Sequence, residues 1–253
     1  MTRLALIVAL AACESSMHEP SSIDTLAPHQ AHGRSADQLM RDGDAAWATR
    51  DAKTAEADYL DAAAIDDRRV EALVGAMAAA HFRIEHEAGV DKGELSRKAV
   101  QLGQQCLRRA PNDAGCKYRL AIALGQEARE HPAQGKDAVN HMVDLLHQAI
   151  TTQPALDDGG PHRVLALVLV RAPAWPAGPG DPEAGLDEAR KAVATTPDAA
   201  ENQLALGEAL VANGSMPEAH AAYAKAAQLA ASSKSPDAST WQKDAEAGLA
   251  KTQ

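Results

Sequence analysis

The sequence predicts an all-α protein built from repeated helical hairpins, and three features of the chain support this prediction. Aromatic residues make up only 3% of the 253 residues, while alanine and other helix-forming residues are abundant, so there is little material for β-strands. From Ala36 onward the apolar residues recur at the spacing of a helix face, and no alternating run is long enough for a strand. The third feature is a repeat.

The repeat is clearest where each helix rich in small residues ends in a turn. The turns fall at positions 67, 111, 154, 197 and 231, which are 44, 43, 43 and 34 residues apart. A unit of two helices cannot bury its apolar face alone, so neighbouring units stack into a solenoid. The wider spacing of units 2 to 4 predicts about two extra helical turns and some loop in these units.

The last unit carries the sharpest repeat pattern, formed by Leu206-Gly207, Leu210, Gly214, Ala219, Tyr223 and Ala226. This spacing resembles the tetratricopeptide repeat, in which Gly207 and Ala219 allow two helices to approach and Tyr223 fills the gap to the next hairpin. A further amphipathic helix over residues 239–251 is expected to cap the stack. We therefore predict that residues 36–253 form a tetratricopeptide-like α-solenoid of about five helical hairpins plus a C-terminal capping helix.

The N-terminus resembles the export signal of a bacterial lipoprotein. Arg3 precedes an apolar run from Leu4 to Ala12, which is too short to span a bilayer. The run leads into Leu10-Ala11-Ala12-Cys13, which resembles a lipobox, so residues 1–12 are interpreted as a signal peptide and Cys13 as the lipidated residue. The alternative is a secreted protein that is cut by ordinary signal peptidase at the small residues.

Residues 13–35 contain Pro, Ser and His without helical periodicity and predict a flexible tether. Glu14 resembles the residue that follows the cysteine in lipoproteins sorted to the outer membrane. This interpretation places the helical domain on the periplasmic side of the bacterial cell envelope, anchored by lipid.

Charge and cysteine usage restrict the partners further. The formal net charge is −10 and no basic patch offsets it, which argues against free DNA or RNA as a partner. In an oxidising compartment Cys106 and Cys116, ten residues apart around a turn, can form a disulfide. The alternative is two small buried thiols at helix-packing positions.

Part of the chain resembles a narrower group of proteins. The motifs are Gly159-Gly160-Pro161-x-Arg163, Ala172-Pro173-x-Trp175-Pro176, Gly180-Asp181 and Glu201-Asn202. They resemble the signature of the T-component lipoproteins of TRAP transporters. The resemblance implies a periplasmic, lipid-anchored protein with elongated tetratricopeptide-like hairpins. It also implies association with the solute-binding protein of a transporter for small organic acids.

The first helix of each hairpin faces the concave side of such a solenoid, where a ligand would bind. Arg119 and Arg163 fall at the same position of units 3 and 4, so together they can hold the carboxylate of an organic acid. The alternative pairs both arginines with acidic residues of the chain itself. The other candidates for binding a ligand or partner on these helices are Gln126, Glu201, Asn202 and Glu208.

The loop from Ala172 to Asp181 contains three prolines and two glycines, which end one helix and force an extended connection to the next. Trp175 lies at the centre of this loop. It is either a contact for a partner or a hydrophobic plug packed on the solenoid.

No catalytic or metal-binding pattern emerges from the sequence. The groups His81/Glu85/His86 and His141/Asp144/His147 each share a predicted helix, but neither resembles the H-E-x-x-H motif or provides three well-placed ligands. Both groups are interpreted as exposed polar residues. We therefore expect no cofactor, no metal and no enzymatic activity.

The sequence thus predicts a protein that acts by binding. The first hypothesis is an accessory T-component of a TRAP-type organic-acid transport system, which engages a solute-binding protein or a small hydrophobic or acidic ligand. The second is a general envelope scaffold lipoprotein for secretion or outer-membrane assembly. The third is an enzyme with a site inside the long repeats. The exposed sides of such a solenoid are also compatible with a homo-oligomer.

Overall fold

The computed structural model describes residues 31–131 and 135–252, and this part of the chain forms eleven α-helices. They are α1 (Ala36–Ala48), α2 (Ala52–Ile65), α3 (Val70–His86), α4 (Lys92–Arg109), α5 (Ala114–Glu130), α6 (Gly135–Thr152), α7 (Gly160–Arg171), α8 (Pro182–Thr195), α9 (Ala200–Ala212), α10 (Met216–Ser232) and α11 (Ala238–Lys251). The described residues contain no β-strand, only an isolated bridge between Ala174 and Gly180. The predicted five hairpins and capping helix are confirmed.

The helices stack in series and do not surround a single central core. Each helix packs against the next helix in the chain, and three pairs of odd-numbered helices also touch: α3 with α5, α7 with α9, and α9 with α11. The buried apolar residues accordingly form three successive clusters along the stack. This arrangement is an α-solenoid in which the odd-numbered helices, the first of each hairpin, form the inner face.

Aspartates fix the starts of several helices. The side chains of Asp51, Asp91, Asp113 and Asp181 each accept a hydrogen bond from the backbone N–H three residues further on, at the starts of α2, α4, α5 and α8. A cap of this kind stabilises a helix by about 1 kcal/mol. The sequence therefore sets the hairpin turns locally, before any long-range packing is considered.

Two tyrosines set the distance between successive hairpins near the two ends of the stack. Tyr59 on α2 lies against Gly43 of α1 and Gly75 of α3, where an added Cβ would come within 2.8 Å and 2.9 Å of its ring. Tyr223 on α10 lies in the same way against Gly207 of α9 and Gly248 of α11. A ring between two glycines lets first helices of consecutive hairpins approach more closely than larger residues would allow.

The extra length of units 2 to 4 is distributed differently from the prediction. Helices α3 to α6 have 17 or 18 residues, compared with 13 and 14 in the first hairpin. In unit 4, however, α7 has 12 residues and α8 has 14, and the additional residues form the loop between them. The reason is that α7 cannot continue through Pro173, so the additional residues of this unit lie in the loop and not in its helices.

The two ends of the solenoid touch. Arg50, just after α1, and His86, at the end of α3, both lie close to Asp237 at the start of α11, with nitrogen–oxygen distances of 3.5 Å and 3.6 Å. Because serial stacking alone brings only neighbouring hairpins together, this contact shows that the solenoid curls back on itself.

The predicted N-terminal segments lie mostly outside the described residues. This applies to the signal peptide over residues 1–12, to Cys13 and to most of the tether. Within the tether, Ala31 packs against the first hairpin, and Arg34 pairs with Asp42 and Asp58 at 2.9 Å and 2.8 Å. The contacts of the helical domain therefore begin before the predicted boundary at residue 36.

Among the described residues, no helix combines the length and the apolar character that are needed to span a lipid bilayer.

The glycines that face Tyr223 provide a test of the packing. We expect Gly207→Ala to destabilise the protein by about 2 kcal/mol, because the new methyl group would lie 2.7 Å from the tyrosine ring and overpacking outweighs the gain in helix propensity. Chemical denaturation followed by circular dichroism measures the change in the free energy of unfolding.

Gly125→Ala is the matched control, since it makes the same change in the interior of α5. Its new Cβ meets only the flexible end of Met142, at 3.1 Å, so we expect no loss of stability. Equal losses in the two variants would contradict the proposed packing constraint.

Candidate binding surfaces

A cluster of polar side chains joins α5, α7 and α9 on the inner face. We call it the Asp157 cluster; it consists of Tyr118, Arg119, Asp157, Arg163 and Asn202. The Tyr118 hydroxyl donates a hydrogen bond of 2.7 Å to the Asp157 carboxylate, and Arg119 and Arg163 lie 3.7 Å and 3.6 Å from the same oxygen. Arg163 also donates a hydrogen bond of 2.8 Å to the side-chain oxygen of Asn202.

The turn before α7 places Asp157 in this cluster. Asp157, Asp158 and Gly159 all have positive φ angles, of 51°, 56° and 83°, a conformation that aspartate and glycine adopt more readily than most residues. The next residue, Gly160, has no room for a side chain, because an added Cβ would lie 2.8 Å from the Tyr118 ring. The Gly159-Gly160 pair thus lets the turn approach α5 closely enough for the hydrogen bond between Tyr118 and Asp157.

The two arginines keep Asp157 ionised. Burial alone would raise the pKa of this carboxyl group, but the charges of Arg119 and Arg163 and the hydrogen bond from Tyr118 outweigh burial and lower it below its ordinary value. Burial also raises the pKa of the Tyr118 hydroxyl, so Tyr118 remains a hydrogen-bond donor.

The structure therefore gives the two arginines a carboxylate from the chain itself. This is the alternative that the sequence left open for Arg119 and Arg163. Two guanidinium groups and one carboxylate leave one net positive charge, which attracts an anion. An organic acid that binds both arginines, however, has to compete with Asp157.

Asn202 positions the other members of the cluster. Its side chain is fully buried and donates hydrogen bonds to the backbone carbonyl groups of Asp158, Ala192 and Thr196, at 2.8–3.2 Å. All of these contacts lie within the chain, so Asn202 fixes the turn before α7 and orients Arg163. Glu201, the adjacent candidate, is partly buried, and no hydrogen bond or ion pair among the described residues joins it to this cluster.

A second group of polar residues joins α3 and α5. The Gln126 amide lies 2.7 Å from Nδ1 of His81 and donates a hydrogen bond of 3.2 Å to Glu85, which also pairs with Arg129. Gln126 is only 3% exposed, and His81 is partly buried. The interpretation of His81 as an exposed polar residue is wrong, because Gln126 of α5 lies against one side of the imidazole.

The remaining candidate, Glu208, links α7 to α9. Its two carboxylate oxygens accept hydrogen bonds of 2.6 Å from Arg171. With the groups described above, polar contacts cross every junction between the inner helices from α3 to α9. The predicted ligand-binding residues Arg119, Gln126, Arg163, Asn202 and Glu208 therefore hold neighbouring hairpins in register, and Glu201 and Trp175 do not.

Sequence reasoning missed Tyr118 and Asp157, which are central to this network. One signal was available, because two consecutive aspartates before a glycine pair are typical of a turn with positive φ angles. Nothing in the sequence indicates that this turn reaches a tyrosine 39 residues earlier in the chain.

The loop between α7 and α8 is a second candidate surface. Backbone hydrogen bonds close it: Gly180 donates to Pro173 at 2.8 Å, and Asp181 donates to Leu169 at 2.9 Å. Gly180 is required for this closure, since an added Cβ would lie 2.8 Å from the Pro173 carbonyl oxygen. The peptide bond between Trp175 and Pro176 is cis.

This loop presents Trp175 to solvent. Its side chain is 86% exposed, more than that of any other large hydrophobic residue in the described chain. The interpretation of Trp175 as a hydrophobic plug is therefore wrong, because the closed loop holds the indole away from the helices. An exposed tryptophan on a hydrogen-bonded loop is typical of an anchor residue in a protein interface.

The two cysteines meet at the junction between α4 and α5. Cys106 and Cys116 are joined by a disulfide bond, with their Cα atoms 5.5 Å apart, and both side chains are fully buried. The described residues include no group of three or more His, Cys, Asp or Glu side chains arranged to hold a metal ion.

The environment of His81 makes stability depend on pH. Burial lowers the pKa of His81 from 6.5 to about 4; Glu85 opposes this shift, and the charge of Arg119 adds to it. The unfolded chain takes up a proton at higher pH than the folded chain does, so the contribution of neutral His81 is lost as the pH falls from 6.5 towards 4. We expect it to amount to about 2 kcal/mol after allowance for partial exposure.

Urea denaturation at pH 7.5 and pH 4.5 measures this loss, and His81→Gln should reduce it. His220→Gln is the matched control, since His220 is exposed and its Nδ1 lies 3.1 Å from the Thr252 hydroxyl. If both variants lose as much stability between the two pH values as the unmodified protein, His81 is not the responsible group.

Neither protein-family models nor curated protein sequences match this chain. Solved structures do match. TTC0263, a thermophilic TPR protein of Thermus thermophilus, is 21% identical with a TM-score of 0.65, over 84% of this chain and 100% of that one. Residues 41 to the end of MamA from Desulfovibrio magneticus RS-1 are 17% identical with a TM-score of 0.52, over 83% of this chain and 100% of that one.

Yeast Tom70 is 14% identical with a TM-score of 0.55, and the match covers 87% of this chain and 41% of that one. Similarity at these levels of identity establishes the fold. The chain has the tetratricopeptide-like α-solenoid fold.

Proposed function

We propose that this protein is a lipid-anchored docking protein of the bacterial cell envelope, of the T-component type in a TRAP-type organic-acid transport system. In this proposal the loop between α7 and α8 binds the partner, a periplasmic solute-binding protein. The fold supports a binding role, because stacked hairpins provide a large preformed surface and so lower the cost of ordering on association.

The exposure of Trp175 is the observation that carries the proposal. Leaving an indole in water is unfavourable, and a partner that covers it gains its hydrophobic free energy. Because backbone hydrogen bonds already close the loop, little conformational entropy is lost when the partner binds. A truncated tryptophan anchor typically costs an interface about 2–4 kcal/mol.

The T-component assignment is supported by the positions of the motifs that carry the resemblance, since these motifs lie close together in the structure. Gly159, Gly160 and Arg163 build the Asp157 cluster, Asn202 holds Arg163, and Gly180 closes the loop that carries Trp175. These residues are separated in sequence but all surround α7. Each has a structural role there, as expected of residues that define a common local architecture.

The inner face favours a protein partner over a small organic acid. Asp157 already faces Arg119 and Arg163, and Arg171 is already paired with Glu208. An acidic ligand would have to displace these internal carboxylates, whereas a partner protein at Trp175 displaces no contact that we observe.

The proposed location rests on the N-terminal sequence. A chain cut before Cys13 and acylated on that residue would be held at the membrane by its lipid. The helical domain, against which Ala31 already packs, would then stand on the periplasmic side.

The Trp175 loop can be tested by binding measurements. We expect the purified chain to bind the solute-binding protein of the TRAP system from the same organism, and Trp175→Ala to weaken that binding by about 2–4 kcal/mol, or roughly 30-fold or more. Isothermal titration calorimetry measures both affinities.

Met216→Ala is the matched control, since it also shortens an exposed hydrophobic side chain, 41% exposed, at the start of α10. Its affinity should be unchanged. No binding by the unmodified chain would refute the T-component role, and equal binding by Trp175→Ala would refute only the role of the loop.

Lipidation can be tested separately. We expect cells that express the full chain and are fed a labelled fatty acid to incorporate label into the protein, and Cys13→Ser to abolish the incorporation and release the protein from the membrane fraction. Because Cys106 and Cys116 are buried and bonded to each other, label that persists in Cys13→Ser would contradict the assignment of the anchor.

A further inference from the structure

The contact between the two ends of the solenoid joins residues far apart in the sequence. Arg50 Nη2 lies 3.5 Å from one carboxylate oxygen of Asp237, and His86 Nε2 lies 3.6 Å from the other. Arg50 and His86 belong to the first two hairpins, whereas Asp237 begins the capping helix α11. We call Trp47, Arg50, Phe82, His86 and Asp237 the latch.

Aromatic rings hold Arg50 in position for this contact. Its guanidinium carbon lies 4.3 Å from the centre of the Trp47 ring and 5.5 Å from that of Phe82. The two rings meet edge to face at 5.7 Å, and Phe82 also contacts the ring of His86 at 4.4 Å. Cation–π contacts of this kind fix a long side chain that would otherwise be mobile in water.

The backbone of Arg50 gives independent evidence that its side chain is needed. Arg50 has a φ angle of +59°, which is unfavourable for a residue with a long side chain. In the last hairpin the equivalent position, two residues after the end of the first helix, is Gly214 with a φ angle of +75°. Glycine adopts this turn without strain, so the latch contacts compensate for a conformation that the turn alone does not favour.

Asp237 gives a third observation. The aspartates at the starts of α2, α4, α5 and α8 all accept a hydrogen bond from their own helix. Asp237 occupies the same position at the start of α11 but makes no such bond. Its carboxylate lies near Arg50 and His86 instead, and it accepts a hydrogen bond of 3.4 Å from the Ser235 hydroxyl.

The latch is weaker than the stacking that holds the rest of the solenoid. The side chains of Arg50, His86 and Asp237 are 25%, 36% and 21% exposed, and ion pairs in contact with water contribute little to stability. Successive hairpins, in contrast, are joined by continuous buried apolar clusters. The end contact can therefore break while the hairpins stay folded.

We propose that the latch is a reversible closing contact that controls access to the inner face of the solenoid. With Asp237 in contact with Arg50 and His86, the start of α11 lies at the C-terminal ends of α1 and α3, at the rim of the inner face. When the contact breaks, small changes of angle between neighbouring hairpins separate the two ends and expose this surface. The proposal concerns the inner face and does not depend on the function proposed for the Trp175 loop.

Charge reversal tests the latch in the full chain. We expect Asp237→Arg to increase the radius of gyration in small-angle X-ray scattering and to speed amide hydrogen exchange in residues 47–50 and 237–241 about fivefold. Combining it with Arg50→Asp should restore both values, because the exchanged charges attract again and aspartate tolerates a positive φ angle.

Two further variants separate opening from loss of the fold. Arg50→Gly removes the guanidinium group and also the unfavourable φ angle of a long side chain in this turn. We therefore expect the two ends of the solenoid to separate while the melting temperature is unchanged or raised. Asp198→Arg makes the same charge reversal at an exposed aspartate paired with Lys225 at 3.4 Å, and it should leave scattering and exchange unchanged.

The proposal is overturned if Asp237→Arg and Arg50→Gly both scatter and exchange like the unmodified chain. It is also overturned if Asp198→Arg opens the ends as much as Asp237→Arg does, or if the paired charge exchange fails to restore closure.

Discussion

The contact on which the rest of the structure depends is a tyrosine ring between two glycines on the first helices of consecutive hairpins. Tyr59 occupies such a position between Gly43 and Gly75, and Tyr223 occupies the equivalent position between Gly207 and Gly248. Because the glycines have no side chain, the ring lies directly against both helices and sets the distance between neighbouring hairpins. Between these two ends of the stack, polar side chains link the inner helices from α3 to α9.

These links explain why the predicted ligand-binding residues other than Glu201 and Trp175 are engaged within the chain. Gln126 joins α3 to α5, Asp157 joins α5 to α7, and Glu208 joins α7 to α9. A partly buried charge without a partner is costly, so polar residues on an inner face have to be matched across each junction. The links also fix the angle between hairpins, and the accumulated angle brings Asp237 to Arg50. The polar links between hairpins therefore determine both the curvature of the solenoid and the contact between its two ends.

Two residues, Trp175 and Arg50, are not in the environment that would be most favourable for stability. Trp175 is held in water by a loop that its own backbone hydrogen bonds close, and Arg50 adopts a conformation that glycine would adopt more easily. Such local departures from what favours stability are common at sites with a function. They separate a loop that exposes its tryptophan to solvent from an inner face whose polar residues are paired with one another.

The sequence by itself determined the helices, their turns and the order of stacking, because apolar spacing, aspartate caps and glycine positions act over a few residues. The prolines around Trp175 also indicated that this segment is a loop and not part of a helix. Only the tertiary structure decided that Arg119 and Arg163 share Asp157, that Trp175 is exposed, and that Asp237 reaches Arg50. These outcomes depend on the curvature of the whole solenoid. Small angles between hairpins add up over the full length of the chain, and no local pattern encodes their sum.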